Sequence, residues 1–513
     1  MMSVESIITD AAAAHFVRSP AEWEAAMNAC KGDPAAVYSL VLDLYLDPEL
    51  KAFAREPLIK QAAKLTGCSL AGLRDDIRRD IPSDDEARKD DLDYAREMLE
   101  SFGDGNLVYA AGGFWAWRED QGRWQLVERP EISQAVQHTL EGQTRITANV
   151  VESVTRVAIN AIYKPGTRFN EPAPDRINVL NGTLERQGGA WVLRNPSRED
   201  YLTAQVPVAY DPDAKCPRFL QYLDEIFQAD TDKVAKALVV LELIGYSLLQ
   251  ACPFPAFPML VGGGANGKSV LLDVLLNLVG RDQAAAQPLA RLGDRFVNGS
   301  LRGKLINLLP EMSVGEALKD GPLKAFTAGD LVSGEFKGQD GFEFKPFSTL
   351  WTATNTMPYT RDLSDGMARR TIVIPFNRRF NESERDPDLT GKLLTELPGI
   401  MAAALHALLG VYERGGFTRP ASSQAALAEW FKDSDQVALF VEDVCLMGPN
   451  CGPTLHKELF DAFKEWCGSQ NIKHSVTGKT FTTRLTKLGA VPTEGKIRLK
   501  QDRGVGFYSI ELG

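Results

Sequence analysis

The sequence predicts an α/β protein whose core is a nucleotide-binding parallel sheet, with a helical region and a small α/β domain before it and a winged helix after it. Three observations predict this. The stretch from Gly262 to Ser269 reads G-x-x-x-x-G-K-[ST], the P-loop pattern. It lies between a short apolar run at 257–261, which reads as a buried strand, and a segment at 269–279 with helical apolar spacing. Two further apolar runs follow, 301–309 and 348–354, each leading to a polar side chain, Glu311 and Asn355.

The P-loop reading rests on phosphate chemistry. A triphosphate is held by backbone N–H groups that point inward, and glycines let the loop wrap closely. The expected ATP-binding set is Gly262, Gly263, Gly264, Ala265, Asn266, Gly267, Lys268, Ser269 and Val270. Lys268 supplies a charge for the β- and γ-phosphates, and Ser269 a hydroxyl for Mg²⁺. The helix after the loop would put the phosphates on its N-terminus.

The totals bound the rest. A chain of 513 residues, 44% hydrophobic and 24% charged, has ordinary globular composition and length for about three or four domains. No run is apolar enough to span a bilayer, so no membrane is expected, and Met1 to Asp10 lack signal-peptide features. Seven cysteines without a C-x-x-C pair predict a reducing, cytosolic setting with neither a disulfide frame nor a zinc site. The five histidines form no metal-ligating pattern. A net charge of −11 means that any nucleic-acid contact must come from local basic surfaces.

In chain order, residues 1–91 read as a helical region, with segments at 21–27, 38–46 and 57–65, then a cap-like Ser69 before a stretch to Ile77. The run 75–93 is densely charged with both signs and reads as a solvated helix or linker. It contains Asp91-Leu92-Asp93, a D-x-D spacing found in metal-dependent polymerase and primase sites and also freely in charged linkers; the linker reading is preferred. Residues 92–206 read as a small α/β domain. Strands are expected at 107–109, 114–117 and 123–127, a helix near 131–140, and a hairpin-like pair around Gly188-Gly189. Its aromatics are assigned to a core rather than to a base-stacking platform. Residues 207–255 form a helical collar, with helices at 218–227 and 232–249. The nucleotide domain spans 256–425. Within it Glu311 follows a buried strand, as a Walker B acid does. Phe336-Lys337 and Phe342-Glu343-Phe344 read as a hairpin about Gly338-Gln339-Asp340-Gly341. Asn355 closes a third strand, where an amide can orient the attacking water, and Arg369-Arg370 precede a strand at 371–376, a pair that reads as an arginine finger.

The order GGGANGKS, LLPE, LKAFTAGD, the Lys337 hairpin, WTATN-x-x-P and ARRTIVIPF resembles the superfamily 3 helicase domain of phage and plasmid primase-helicases, the group that includes the poxvirus primase-helicase. Upstream, INVLNGTLE, LTAQVPVAYDPDAKCPRFLQYLDEIF and LIGYSLL resemble the domain that precedes it, so the resemblance covers roughly residues 92–513. It implies an AAA+-type ATPase, using ATP and Mg²⁺, that assembles with itself into a ring, usually a hexamer, and moves along single-stranded or forked DNA. The travel it implies is 3′→5′. It implies catalytic roles for Lys268, Glu311, Asn355 and Arg370, with Arg369 as the rival finger; Mg²⁺ on Ser269 and Glu311; and DNA contact by Lys337, with Lys345 on the same hairpin. Two departures stand out. Pro310 occupies the place where many such ATPases carry an aspartate. Residues 1–91 are too short for a primase domain, so primer synthesis is not expected, and a separately encoded primase or replication initiator becomes a candidate partner.

Residues 435–513 read as a separate winged-helix-like domain, with helices at 455–468 and 480–488 and a wing formed by 497–499 with 506–512. Lys473, Lys479, Arg484, Lys487, Lys496, Arg498, Lys500 and Arg503 face only Glu494, Asp502 and Glu511 there. That local excess assigns Lys479, Arg484, Lys487, Arg498 and Arg503 to DNA, against a solvated helix face. Together these readings predict a replicative DNA helicase of a phage, plasmid or integrated element in bacterial cytosol. Two alternatives stay open: an ATP-regulated origin-binding assembly factor, and a P-loop ATPase that remodels protein.

Overall fold

The computed structural model describes residues 18–47, 50–80, 89–171, 174–312, 318–338, 340–470, 472, 476–499 and 502–513. Met1–Asp10, Gln339, Lys473 and Lys500 lie outside them. The chain divides into two compact units, Met1–Arg96 and Glu97–Gly513.

The first unit is helical: Pro20–Ala29, Pro34–Leu46, Ala52–Thr66 and Leu70–Asp80. Ser19 starts the first helix in a reciprocal capping box with Glu22, and Asp33 caps the second by accepting from Ala35 and Ala36. Ser69 accepts from the Gly72 N–H at 3.0 Å, as its cap-like position suggested. Trp23, Met27, Val41, Leu44, Leu58 and Ile77 fill the shared core. Asp91 and Asp93 open the helix Asp91–Phe102.

The second unit begins with two antiparallel three-stranded sheets. Leu107–Ala110, Gly113–Arg118 and Arg123–Val127 form one, and Arg176–Val179, Gly182–Gln187 and Ala190–Arg194 the other. The helices Arg129–Leu140 and Ala148–Ile162 lie between them in the chain. Trp115 stacks on Phe169 at 4.1 Å and Trp124 on Tyr201 at 5.9 Å, so the aromatics do serve a core. The helices Pro217–Ile226 and Lys233–Tyr246 lead into a parallel sheet.

That sheet has five strands: β1 (Phe257–Val261), β2 (Ala284–Ala285), β3 (Ile306–Leu309), β4 (Thr349–Thr354) and β5 (Thr371–Pro375). Their spatial order is β5-β1-β4-β3-β2. The sheet is deeply buried: every residue of β4 is buried, its three threonines included. A polar residue survives in β3 because its bonds are met: Asn307 accepts from the Gln287 N–H at 2.7 Å and donates to the Gln287 carbonyl at 3.0 Å. The β3 strand is shorter than the run that predicted it; residues 301–303 are a turn, and Glu311 stands two residues past the strand.

Two expected pairings are corrected. The hairpin near Lys337 is built by Val332–Gly334 with Phe342–Phe344, in the register Gly334↔Phe342. Phe336 and Lys337 therefore belong to the connecting loop, not to a strand. In the terminal region Ile497–Leu499 pairs with Asp502–Gly504, whereas Gly506–Tyr508 pairs with Val491–Pro492 and Thr454–Leu455. Ile497–Leu499 thus pairs with the partner nearer in sequence, and local pairing closes a smaller loop. The helices there are Gln436–Val444, His456–Ser469 and Gly478–Lys487, packed around Phe440, Phe463 and Phe481. Among the described residues no single helix is long and apolar enough to cross a membrane.

Candidate active site and nucleic-acid surfaces

The P-loop leaves β1, which lies between β5 and β4, and is pinned on both sides. The Gly262 N–H donates to the Thr354 carbonyl at 3.2 Å, at the end of β4, and Phe380 N–H to the Ala265 carbonyl at 2.8 Å. Gly267 takes φ +92° at the start of the helix Lys268–Val279, and a Cβ there would lie 2.8 Å from Ile226 Cγ2. Only glycine satisfies both conditions. The Tyr222 hydroxyl donates to the Gly267 carbonyl at 2.9 Å, so the helix Pro217–Ile226 forms a wall of the loop.

Lys268 is 7% exposed. Its ammonium donates to the Gly262 carbonyl and to Asn266 Oδ1, the latter at 3.1 Å. Both partners are neutral, and no carboxylate pairs with it among the described residues. Burial pushes its pKa below the usual lysine value, the sign of a cation short of solvation. A phosphate oxygen would restore that solvation with opposite charge.

A cavity of about 650 Å³ opens over this loop. The fold brings Lys268, Ser269, Glu311 and Asn355 to its lining, although β4 separates β1 from β3 in the sheet. Ser269 and Glu311 are both exposed to it and offer hard oxygen donors of the kind Mg²⁺ takes. Arg369 and Arg370 are not in the lining. They end the short helix Asp365–Arg370; Arg369 is exposed, and Arg370 Nη1 donates to the Gly366 carbonyl at 2.9 Å.

The sequence reading missed the outer wall. Arg218, Tyr222 and Glu225 line it from one helix, and Arg385 from the segment after β5. Their i, i+4, i+7 spacing puts the first three on one helical stripe, a signal that was present. Arg385 had no local signal, because only the return of the chain brings it to the loop.

The hairpin carries exposed Lys337 beyond a body of packed aromatics, with Phe336 and Phe342 centred 4.9 Å apart. The Arg302 guanidinium lies over Phe342 at 4.4 Å and over Trp115 at 5.2 Å, and burial lowers its pKa to about 10. Lys345 is half-exposed and pairs with Glu171 at 3.3 Å, so part of its charge is already matched. In the C-terminal region Lys479, Lys487, Arg498 and Arg503 are exposed. Arg498 and Arg503 are direct cross-strand partners, a like-charge pairing that is unfavourable until an anion approaches. Arg484 departs from the expected surface. It is 8% exposed, donates through Nη2 to the Arg361 carbonyl at 2.7 Å, and meets Asp435 at 3.3 Å. Its fork is turned into protein, so it has no free face for a phosphate.

Two family models match the chain: one described as D5 N terminal like, over residues 95–228, and one described as a family of unknown function, over 260–370. The chain is 25% identical over 250 residues to "Putative helicase L207/L206" of Acanthamoeba polyphaga mimivirus, covering 44% of this chain and 25% of that protein. It is 26% identical over 223 residues to "Putative helicase 184R" of Invertebrate iridescent virus 6, covering 39% of this chain and 22% of that protein. The matched stretch thus spans a quarter or less of these relatives' length. Among solved structures, that of the NrS-1 C terminal region is similar at 14% identity with a TM-score of 0.46, covering 82% of this chain and 99% of that one.

Proposed function

We propose, on the premise that this chain belongs to the D5-like family of phage and viral primase-helicases, that it is an ATP-dependent DNA helicase motor of the AAA+ type. One observation carries the reading. Lys268 and Ser269 of the P-loop, Glu311 after β3 and Asn355 after β4 come from three separate stretches of sequence yet line one cavity, while the paired arginines lie outside it. Arg218 and Arg385 line the cavity of the same chain, whereas the arginines before β5 stand outside it, where they are suited to serve a neighbouring subunit.

In this mechanism the P-loop N–H groups and Lys268 hold the β- and γ-phosphates. Mg²⁺ bound near Ser269 and Glu311 would offset the negative charge of the phosphate oxygens. The Glu311 carboxylate polarises the attacking water, and the Asn355 amide orients it for in-line approach. Arg370 enters the next subunit's cavity, with Arg369 as the other candidate. Lys337 grips a DNA phosphate from the hairpin, and Lys479, Lys487, Arg498 and Arg503 add contacts from a winged-helix-like domain. The assembly is a homo-oligomeric ring, with six subunits as the usual number for this architecture, and its substrates are single-stranded and forked DNA during replication of a mobile element.

The test is ATP hydrolysis with and without single-stranded DNA. A motor of this kind hydrolyses ATP faster when the strand is present. Hydrolysis indifferent to DNA favours a protein-remodelling ATPase, and DNA binding with ATP held but not turned over favours an assembly factor.

A further inference from the structure

Arg484 joins two parts of the molecule that the proposed mechanism treats as independent. It sits on the helix Gly478–Lys487, whose Lys479 and Lys487 face solvent while Arg484 faces inward. Its Nη2 holds the Arg361 carbonyl at 2.7 Å. Residue 361 belongs to the loop between Asn355, in the nucleotide cavity, and the helix Asp365–Arg370 that carries the paired arginines.

That loop is held at successive points. Trp430 Nε1 donates to the Pro358 carbonyl at 2.6 Å, the Leu318 N–H to the Tyr359 carbonyl at 3.1 Å, and Thr360 Oγ1 to Asp320 at 3.0 Å. From Arg361 onward the contacts run towards the finger. Asp362 pairs with Lys324 and accepts from the Ser364 N–H at 3.0 Å, and Arg370 Nη1 bonds the Gly366 carbonyl at 2.9 Å. Burying a guanidinium is costly unless its geometry is used, and here one branch reaches a carboxylate and the other a loop carbonyl across 123 residues of chain.

We propose that Arg484 is a positioning residue: by holding the Arg361 carbonyl it sets the loop that presents Arg370, so that the terminal domain and the finger move together. The proposal rests on the helicase reading above. A pull on the solvent face of the helix, where DNA would contact Lys479 and Lys487, is transmitted to the loop through the opposite face. Arg484 does not line the nucleotide cavity, and both branches of its guanidinium are engaged within the protein.

The experiment uses the full chain carrying Arg484→Met, with Arg484→Lys as the conservative variant and Arg370→Ala as the reference. With single-stranded DNA and ATP, Arg484→Met should lose roughly twofold to thirtyfold in kcat, the fold-change that corresponds to the modulation of coupling by residues between sites. KM for ATP should hold, because no P-loop residue changes. Affinity for duplex DNA across salt concentrations should also hold. Mixing with Lys268→Ala subunits should restore hydrolysis, since these bring an intact finger to the variant's intact P-loop. Hydrogen exchange at 356–364 should quicken in Arg484→Met and lie between it and the parent in Arg484→Lys, which keeps the charge and a donor. Unchanged kcat overturns the proposal. So does a flattened salt dependence, which would make Arg484 a DNA contact. Failure of Arg484→Met to recover on mixing, where Arg370→Ala does recover, also overturns it. If Arg370→Ala itself stays fully active, the shared-site reading fails and this proposal with it. Should Arg484→Met not fold, the Arg484→Lys kcat and exchange carry the test.

Discussion

Lys268 is the residue on which the site turns. Its charge is buried against two neutral oxygens, and among the described residues no carboxylate pairs with it. Lys268→Ala should remove ATP binding and hydrolysis while leaving the fold intact, because its hydrogen bonds stay within its own loop. Glu311→Gln keeps shape and hydrogen bonding but cannot polarise water. It should bind ATP and hydrolyse it about 10²–10⁴-fold more slowly, the usual worth of a positioned base. Binding of a fluorescent ATP analogue and phosphate release, measured on both variants, check this. Undiminished hydrolysis in both, with contaminating ATPase excluded, contradicts it. Pro310 beside Glu311 also lines the cavity, and it offers no carboxylate to share the work.

At the scale of elements, the hairpin and the terminal domain make separable contributions. Lys337 is exposed on the loop 335–341, whose base is held by Asn298 Nδ2 on the Ser333 carbonyl at 2.9 Å and by the Arg302 cation over Phe342. Lys337→Ala should keep basal ATPase and lose DNA stimulation on every sequence, since phosphate contacts carry no base information. Arg498 and Arg503 should each set part of the duplex affinity instead. Losing one phosphate contact flattens the log–log salt dependence by about 0.9. Loss of stimulation on some sequences only would contradict the first statement, and an unchanged salt slope the second. The same elements mark what could be read in advance. The P-loop strand and helix were legible because loop chemistry and apolar periodicity agree there. The hairpin was legible as a turn but not in register, since Phe336 alternates with Phe342 and Phe344 in sequence while packing beside the strands. Arg484 was read as basic surface because helical spacing gives a residue's face only relative to its own helix. Which neighbour takes that face is decided by the loop at 361, far away in the chain. Arg385 reaches the cavity for the same kind of reason.

At the scale of the molecule, the central claim is that ATP turnover in one cavity is converted into movement on DNA. The parts it needs lie in a single compact unit: the cavity on β1, β3 and β4, the hairpin, and the helix Gly478–Lys487 tied to the loop before Arg370. No single contact tests that conversion, because binding ATP and binding DNA each leave the other readings standing. Strand separation does test it. The measurement is unwinding of a forked duplex, followed by release of a labelled strand, with the parent chain and Glu311→Gln assayed side by side at equal DNA occupancy. The parent should release the strand only with hydrolysable ATP, and Glu311→Gln should bind the fork yet release almost none. A parent chain that hydrolyses ATP on the bound fork without separating the strands, or a Glu311→Gln chain that separates them equally well, would contradict the account.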